Sequence, residues 1–188
     1  DHDVRVQLNQ QHLLDFPDSI AAAYVKKANF TDDWTVFDDI LRERAVLKLQ
    51  TTPVNEELLR ASRGEIAVLN IRIGDVIDSL SSHSGVGSWY MYEVEEYEQV
   101  ARQLAALGIK KVVVTTGFPF TIGEDKVRAN RKYIVALRSL LRKHNINMRI
   151  RVNKTPDEDL ILFYVAKYFI PARFSGYTKT VVFARLRS

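Results

Sequence analysis

The residues with the clearest potential for chemistry follow an apolar run near the middle of the chain. Residues 66–71 are almost entirely apolar, and Arg72, Gly74 and Asp75 come directly after them. An apolar run without alternation predicts a buried strand in a parallel sheet that is covered on both faces. Arg72 would then lie at the carboxyl end of that strand, where open α/β sheets bind ligands and a planar guanidinium can hold two phosphate oxygens. For this segment alone, an ordinary polar turn after a strand is the simpler interpretation. Whether it is a ligand site depends on which other residues the fold brings to the same place.

Strand and helix patterns alternate after residue 64 and would position these residues. Short connections and helices of about ten or more residues favour a parallel sheet with right-handed crossovers. We therefore predict an α/β fold, a Rossmann-like parallel sheet flanked by helices over residues 63–188, with a helical segment at 1–62 packed against it. Strands are predicted at 66–71, 111–115, 147–152 and 167–170, and helices at about 92–107, at about 125–143 and after a capping box at 155–158.

The two longer helical segments carry apolar stripes that predict which side chains face the sheet. The first helix is expected to stop at Gly108, since glycine readily adopts the left-handed conformation that ends helices. The residues predicted to face inward are Val94, Tyr97, Val100, Leu104 and Leu107 in the first helix and Val127, Ile134, Leu137 and Leu141 in the second.

Polar residues follow each of the four predicted strands. Because the carboxyl ends of parallel strands share one edge of a sheet, side chains from all four would converge on one cleft. Hydroxyl groups, glycines, helix N-termini and an arginine at such an edge are the groups that hold a phosphorylated ligand. The residues brought to this edge are Asn70, Arg72, Gly74, Asp75, Thr116, Gly117, Asn153, Thr155, Asp157, Glu158, Ser175, Gly176, Tyr177 and Thr178.

Other ligand-binding motifs are absent from the sequence or have simpler explanations. No Gly-x-Gly-x-x-Gly segment and no Walker loop follows the first strand, which disfavours nicotinamide and P-loop nucleotide chemistry. The histidines lie far apart and lack the spacing of metal ligands. The acidic run at 157–159 follows Thr155-Pro156, so a helix capping box explains it more simply than a metal motif. We therefore expect neither a bound metal nor a cofactor.

The composition indicates a globular protein with a surplus of positive charge. Hydrophobic residues make up 46% of the 188 residues, and no apolar run reaches the roughly 18 residues that a membrane span needs. The chain has no cysteine, which excludes disulfides and thiolate metal sites and favours a cytosolic location. The net charge of +4 suits an anionic ligand, but the basic residues are spread over helices and strands, so nucleic acid is not the expected partner. The chain begins at Asp1 without a methionine, and we expect it to be part of a longer protein.

The hexapeptide Asn70-Ile71-Arg72-Ile73-Gly74-Asp75 resembles the His-x-Arg-x-Gly-Asp motif of fucosyltransferase-like enzymes of the GT-B class. Residues 51–58 are similar to the helix before the motif strand in that group, and residues 93–97 to the start of the helix after it. Residues 157–178 resemble its later signature, in which an acidic helix start and a short strand precede a hydroxyl-rich turn. The resemblance covers about residues 50–180. It implies a metal-independent, inverting glycosyltransferase with a donor-binding Rossmann-like half.

The resemblance also implies roles for individual residues. Arg72 would hold the diphosphate of a GDP- or UDP-sugar and offset the charge that develops on the leaving group. A glycan or glycoprotein acceptor would lose its proton to a general base, for which Asp75, Asp78 and His83 are the candidates. The donor-binding residues would be Asn70, Gly74, Thr116 and Gly117, with Asp157 and Glu158 near the nucleoside and Ser175, Gly176, Tyr177 and Thr178 near the diphosphate.

Two residues depart from the family motif, and two other functions stay open. Asn70 stands where the motif has its histidine, and Ile73 where it has a second basic residue, so the identity of the donor is open. One alternative is a non-catalytic basic α/β module that binds a phosphorylated ligand or nucleic acid. Another is a metal-dependent enzyme of the GT-A class that uses Asp157 and Asp159.

Overall fold

The computed structural model describes residues 53, 55–74, 77, 91–116, 123–151, 154–172 and 181–182. Within these ranges, strands and helices alternate along the chain, and one 3-10 helix, Val94–Glu96, leads directly into α2. In chain order the elements are α1 (Glu56–Ser62), β1 (Ala67–Asn70), the 3-10 helix, α2 (Tyr97–Ala106), β2 (Lys111–Thr115), α3 (Glu124–Lys143), β3 (Asn147–Arg151), α4 (Pro156–Val165) and β4 (Tyr168–Ile170).

The four strands form one parallel sheet with the order β3-β2-β1-β4. β1 pairs with β2 from Ala67 opposite Val112 to Asn70 opposite Thr115, and its other edge pairs with β4. The chain therefore moves outward from β1 to β2 and β3, and then crosses to the far side of β1. This reversal creates a topological switch point between β1 and β4. The predicted α/β fold, a Rossmann-like parallel sheet flanked by helices, is confirmed.

Helices cover both faces of the sheet, which explains why β1, β2 and β4 are apolar runs in the sequence, whereas β3 at the edge is only partly buried. α2 and α3 pack on one face, and α1 and α4 pack on the other. On the second face, the rings of Phe163 and Phe169 stack with their centroids 4.7 Å apart. Large side chains that are almost fully buried include Tyr97, Leu104, Leu137 and Leu141 on the first face and Leu162, Phe163, Tyr164 and Phe169 on the second.

Local sequence signals set the ends of three helices. The Asn55 side chain caps α1 by accepting a hydrogen bond from the backbone N–H of Leu58 at 2.9 Å. The predicted capping box of α4 is present: Thr155 Oγ1 accepts from the Glu158 N–H at 3.2 Å, and Glu158 Oε2 accepts from the Thr155 N–H at 2.9 Å. Gly108 ends α2 as predicted, with a φ of 76° that few other residues adopt readily.

Two predictions about the core are wrong. Val127 is 51% exposed, although it was expected to face the sheet. The next turn of α3 explains this, because Asn130 contacts Gly74, which lies four residues beyond the end of β1. Val127 is one turn earlier in the helix and therefore lies past the ends of the strands. Leu107 is 48% exposed because α2 ends at Ala106, and Ile109 fills the core after the turn instead.

Helix α1 lies inside the segment that was predicted to pack as a helical unit against the main domain. Its residues Leu58 and Ala61 belong to the same core cluster as α4, so this helix does pack on the sheet. Residues 1–52 of the predicted helical segment lie outside the described residues. No helix in the described part of the chain is both long and apolar enough to cross a membrane.

Candidate functional site

The side-chain alternation of β1 continues past the end of the strand into the loop that carries Arg72. Leu69, Ile71 and Ile73 all belong to the core beneath α2 and α3, with Ile73 only 1% exposed. Arg72 lies between the two isoleucines and is exposed. Like Asn70, two residues earlier, it is on the side of the chain opposite to the buried isoleucines. The loop is therefore held by two apolar anchors, while its one cationic side chain reaches solvent at the carboxyl end of β1. Ile73, which stands where the family motif has its second basic residue, is a core residue here.

Asn70 ties the end of β1 to the end of β2. Its Nδ2 donates to Thr115 Oγ1 at 2.9 Å and to the Thr115 carbonyl at 3.4 Å. The backbone N–H of Ile71 also donates to the Thr115 carbonyl, at 3.0 Å. The amide that stands in place of the motif's histidine thus joins two strands at the edge where the ligand is expected.

Asn130 on α3 holds the backbone of Gly74 through both atoms of its side-chain amide. Its Oδ1 accepts from the Gly74 N–H at 2.7 Å, and its Nδ2 donates to the Gly74 carbonyl at 3.2 Å and to the Lys126 carbonyl at 2.8 Å. Asn130 is 1% exposed, so these hydrogen bonds are shielded from water. Gly74 has a φ of 94°, which L-residues rarely adopt. The loop after β1 is therefore fixed at its far end, two residues beyond Arg72.

Thr116 brings a second hydroxyl to this edge, directly after β2. The residue is 4% exposed, and its Oγ1 is buried with no hydrogen-bond partner among the described residues. Its backbone N–H donates to the Arg151 carbonyl on β3 at 3.4 Å. Because buried hydroxyls nearly always have a partner, an unpaired one at the ligand-binding edge of a parallel sheet is consistent with a ligand contact.

The switch point between β1 and β4 lies beside the loop that carries Arg72. In open α/β sheets this crevice is where ligands bind. On the β4 side, the continuous range of described residues that contains the strand ends at the buried Ala172. Of the predicted site residues, Asn70, Arg72, Gly74 and Thr116 are brought together at the ends of β1 and β2. Those outside the described residues are Asp75, Asp78, His83, Gly117, Asn153, Ser175, Gly176, Tyr177 and Thr178.

Asp157 and Glu158 lie at a different point of the same edge, at the start of α4 after the outermost strand β3. β3 is two strand positions away from β1, which is about 10 Å. Glu158 completes the capping box and also accepts a hydrogen bond from Lys154 Nζ at 3.1 Å. The backbone N–H of Thr155, and secondly Lys154, lower the pKa of Glu158 to about 2. Glu158 is therefore a carboxylate at neutral pH that already stabilises the helix start.

An ion-pair network occupies the cleft next to these acidic residues. Arg151, whose side chain is only 9% exposed, contacts Glu57 of α1 and, through Nε at 3.2 Å, Asp159 Oδ1. Arg149 also pairs with Glu57. Burial raises the pKa of Asp159, and Arg151 opposes that rise. The cleft has a volume of about 390 Å³, but both of its arginines are already neutralised by carboxylates, which makes it a structural junction of α1, β3 and α4.

The acidic start of α4 is poorly arranged for a metal ion. Asp159 is engaged by Arg151, and Glu158 by the capping box and Lys154. Within the ranges that the structure describes, no group of three or more His, Asp or Glu side chains is placed to hold a metal ion.

The sequence interpretation missed Asn130, Glu57 and Arg151. Asn130 did leave a signal, because it lies four residues before Ile134 and seven before Leu137 on the apolar stripe of α3. A polar residue at a core position of a helix requires a buried partner. Glu57 and Arg151 carried no comparable signal, since they are 94 residues apart.

No protein-family model, no curated protein and no solved structure was found to match the chain. The likeness to fucosyltransferase-like enzymes therefore rests on the residues themselves.

Proposed function

We propose that this domain binds a nucleotide-diphosphate sugar and acts as a metal-independent, inverting glycosyltransferase of the fucosyltransferase-like GT-B type. The observation that carries the proposal is the exposed Arg72 at the carboxyl end of β1, beside the switch point, in a loop fixed by Ile71, Ile73 and the Asn130 clamp. A guanidinium held in this way can bind a diphosphate with two parallel hydrogen bonds. The proposed acceptor is a glycan or a glycoprotein.

In the proposed reaction a general base takes the proton of an acceptor hydroxyl. The acceptor oxygen then bonds to the anomeric carbon of the donor sugar as the bond from that carbon to the diphosphate oxygen breaks, which inverts the configuration. Asp75, Asp78 and His83 are the proposed bases, because they follow Arg72 in the chain. The diphosphate leaves with its new charge beside Arg72, so stabilisation grows as the reaction proceeds. No metal ion is required in this scheme.

The nucleoside end of the donor would extend along the edge of the sheet towards β3. Thr116 lies between Arg72 and the start of α4, and its hydroxyl, which has no partner among the described residues, suits a contact with the donor. Asp157 remains the proposed nucleoside contact, whereas the capping role of Glu158 makes its contribution indirect. Gly117 and residues 175–178 are proposed to complete the diphosphate site. The absence of cysteine is the basis for proposing that the protein works in the cytosol.

The test is to titrate UDP-, GDP- and dTDP-sugars into the protein by calorimetry, with and without EDTA. One of these donors should bind, and EDTA should leave its affinity unchanged. Arg72→Ala should weaken that binding by about 1.5–3 kcal/mol, or about 10- to 150-fold, because a charge-assisted contact is lost. The matched control is Arg63→Ala, since Arg63 is also exposed but lies before β1 at the opposite edge of the sheet. Failure of all three donors to bind, or equal losses in the two variants, would contradict the proposal.

A further inference from the structure

One face of α3 carries a cluster of basic residues that the proposed reaction does not use. It consists of Arg128, Arg131, Lys132, Arg138, Arg142 and Lys143, called here the basic face. Separations of three, four and seven residues among them, from Arg128 to Lys143, place them on one side of the helix over about 22 Å. The other side of α3 is buried against the sheet, so this helix cannot turn the basic face inward.

The charge of the protein is concentrated on this one helix. α3 carries seven basic and two acidic residues, a net charge of +5, whereas the whole chain carries +4. All other residues together therefore have a net charge of −1. Glu124 and Asp125 are confined to the first turn of α3, and no acidic residue follows them in the helix. The ion pairs found among the described residues do not involve the basic face.

An exposed apolar side chain lies in the middle of the basic face. Val135 is 52% exposed, with Arg131, Lys132 and Arg138 one turn away along the same side of the helix. The two described clefts, of about 390 and 420 Å³, lie on the opposite face of the sheet, beside α1. The exposed side of a helix is an outward-curving surface, which suits an extended anionic partner better than a small anion in a pocket.

We propose that the basic face docks onto the surface of an anionic lipid bilayer, with α3 lying parallel to the membrane plane. Clustered Lys and Arg side chains on a helix bind acidic lipid headgroups, and Val135 can enter the boundary between headgroups and acyl chains. Nucleic acid fits less well, because the exposed residues of α3 include no aromatic side chain for stacking on bases and place the apolar Val135 in the middle of the basic face. The helix stays packed on the sheet, so the attachment is peripheral and sensitive to salt.

The test uses the full 188-residue chain and co-sedimentation with lipid vesicles. The protein should bind vesicles of phosphatidylcholine and phosphatidylserine, should bind pure phosphatidylcholine vesicles much less, and should be released by high salt. Each basic residue near such a surface contributes about fivefold to the partition coefficient. The triple variant Arg131→Gln/Lys132→Gln/Arg142→Gln should therefore bind on the order of 100-fold more weakly.

The matched control is Arg63→Gln/Lys110→Gln/Lys111→Gln, which removes three exposed basic residues outside α3 and lowers the net charge equally. Its binding should change far less than that of the α3 variant. Equal losses in the two triple variants would mean that only net charge matters and would overturn the proposal. The proposal would also be overturned if the wild-type protein did not bind the anionic vesicles, whether or not it bound a single-stranded RNA. Thermal melting of both variants checks that each remains folded.

Discussion

Two regions at the carboxyl edge of the sheet, the loop after β1 (residues 71–74) and the start of α4 (residues 155–159), were both predicted to bind the donor. They use their polar groups differently. In the loop, the backbone is held by Ile71, Ile73 and Asn130. The exposed cation Arg72 is not one of these three anchors. At the start of α4, the acidic residues themselves hold the structure, through the capping box of Glu158 and the pairing of Asp159 with Arg151.

This difference indicates which predicted site residues can be changed without harming the fold. The backbone of Arg72 is fixed by other residues and its side chain is exposed, so Arg72 can be replaced without removing those anchors. A side chain that caps a helix or neutralises a half-buried arginine must lose that contact before it can serve a ligand. The loop after β1 is therefore the better candidate for the diphosphate site, and the start of α4 is mainly a structural element.

The largest expected effect follows from removing the clamp on the loop. Asn130→Leu would leave the N–H and carbonyl of the buried Gly74 without their partners, at a cost on the order of 3 kcal/mol. Urea denaturation should detect this loss, and donor binding should weaken as well, because Arg72 is no longer held in place. Ser139→Leu places the same side chain at an exposed site of the same helix and serves as the control. Equal stability of the two variants would show that the clamp does not hold the loop.

A smaller loss is expected from breaking the network beside α4. Arg151→Met would remove the cation between Glu57 and Asp159, whose side chains are 16% and 19% exposed. Leaving these carboxylates without Arg151 should cost about 2 kcal/mol in urea denaturation, with donor affinity unchanged. Adding Asp159→Asn to Arg151→Met should recover part of the stability, since it removes one of the two carboxylates that no longer have Arg151 as a partner. A donor affinity that falls with Arg151→Met would place this cleft in the binding site and contradict the distinction between the two regions.

The smallest effect concerns the acid sensitivity of the α4 cap. Glu158 has a pKa of about 2 in the folded protein, below its ordinary value of 4.5. Its stabilising contribution is therefore fully present above about pH 4.5 and is lost as the pH falls towards 2. Glu158→Gln should be slightly less stable than wild type at pH 7, and the difference should shrink over this window in thermal melts. A difference that is constant with pH would show that the charge of Glu158 is not what stabilises the cap.

The local parts of the fold could be predicted from the sequence, and the long-range parts could not. The capping box at Thr155 and Glu158 involves neighbours three residues apart, and β1, β2 and β4 are recognisable as apolar runs. The strand order β3-β2-β1-β4, which creates the switch point, depends on how separate βα units pack, and no local pattern specifies it. Val127 was misplaced for a related reason, because a helical stripe does not show where the sheet beneath it ends.

The candidate site shows the same division. Arg72 and Gly74 could be identified from their place after an apolar run, and both lie at the predicted edge. The clamp that fixes them spans 56 residues from Gly74 to Asn130, so its two halves could not be matched by spacing. In the sequence, Glu158 was as suitable for a ligand contact as Arg72. Only its hydrogen bonds with Thr155 and Lys154 in the structure show that it caps α4.

The most direct test of this account compares Arg72→Ala with Glu158→Gln for binding of the nucleoside diphosphate of the preferred donor. Calorimetry on both folded variants measures the two dissociation constants against that of the wild type. We predict a loss of about 10- to 150-fold for Arg72→Ala, because its contact with the diphosphate is charge-assisted, and little change for Glu158→Gln. An unchanged affinity in Arg72→Ala, or a larger loss in Glu158→Gln, would contradict the assignment of the diphosphate to the loop after β1.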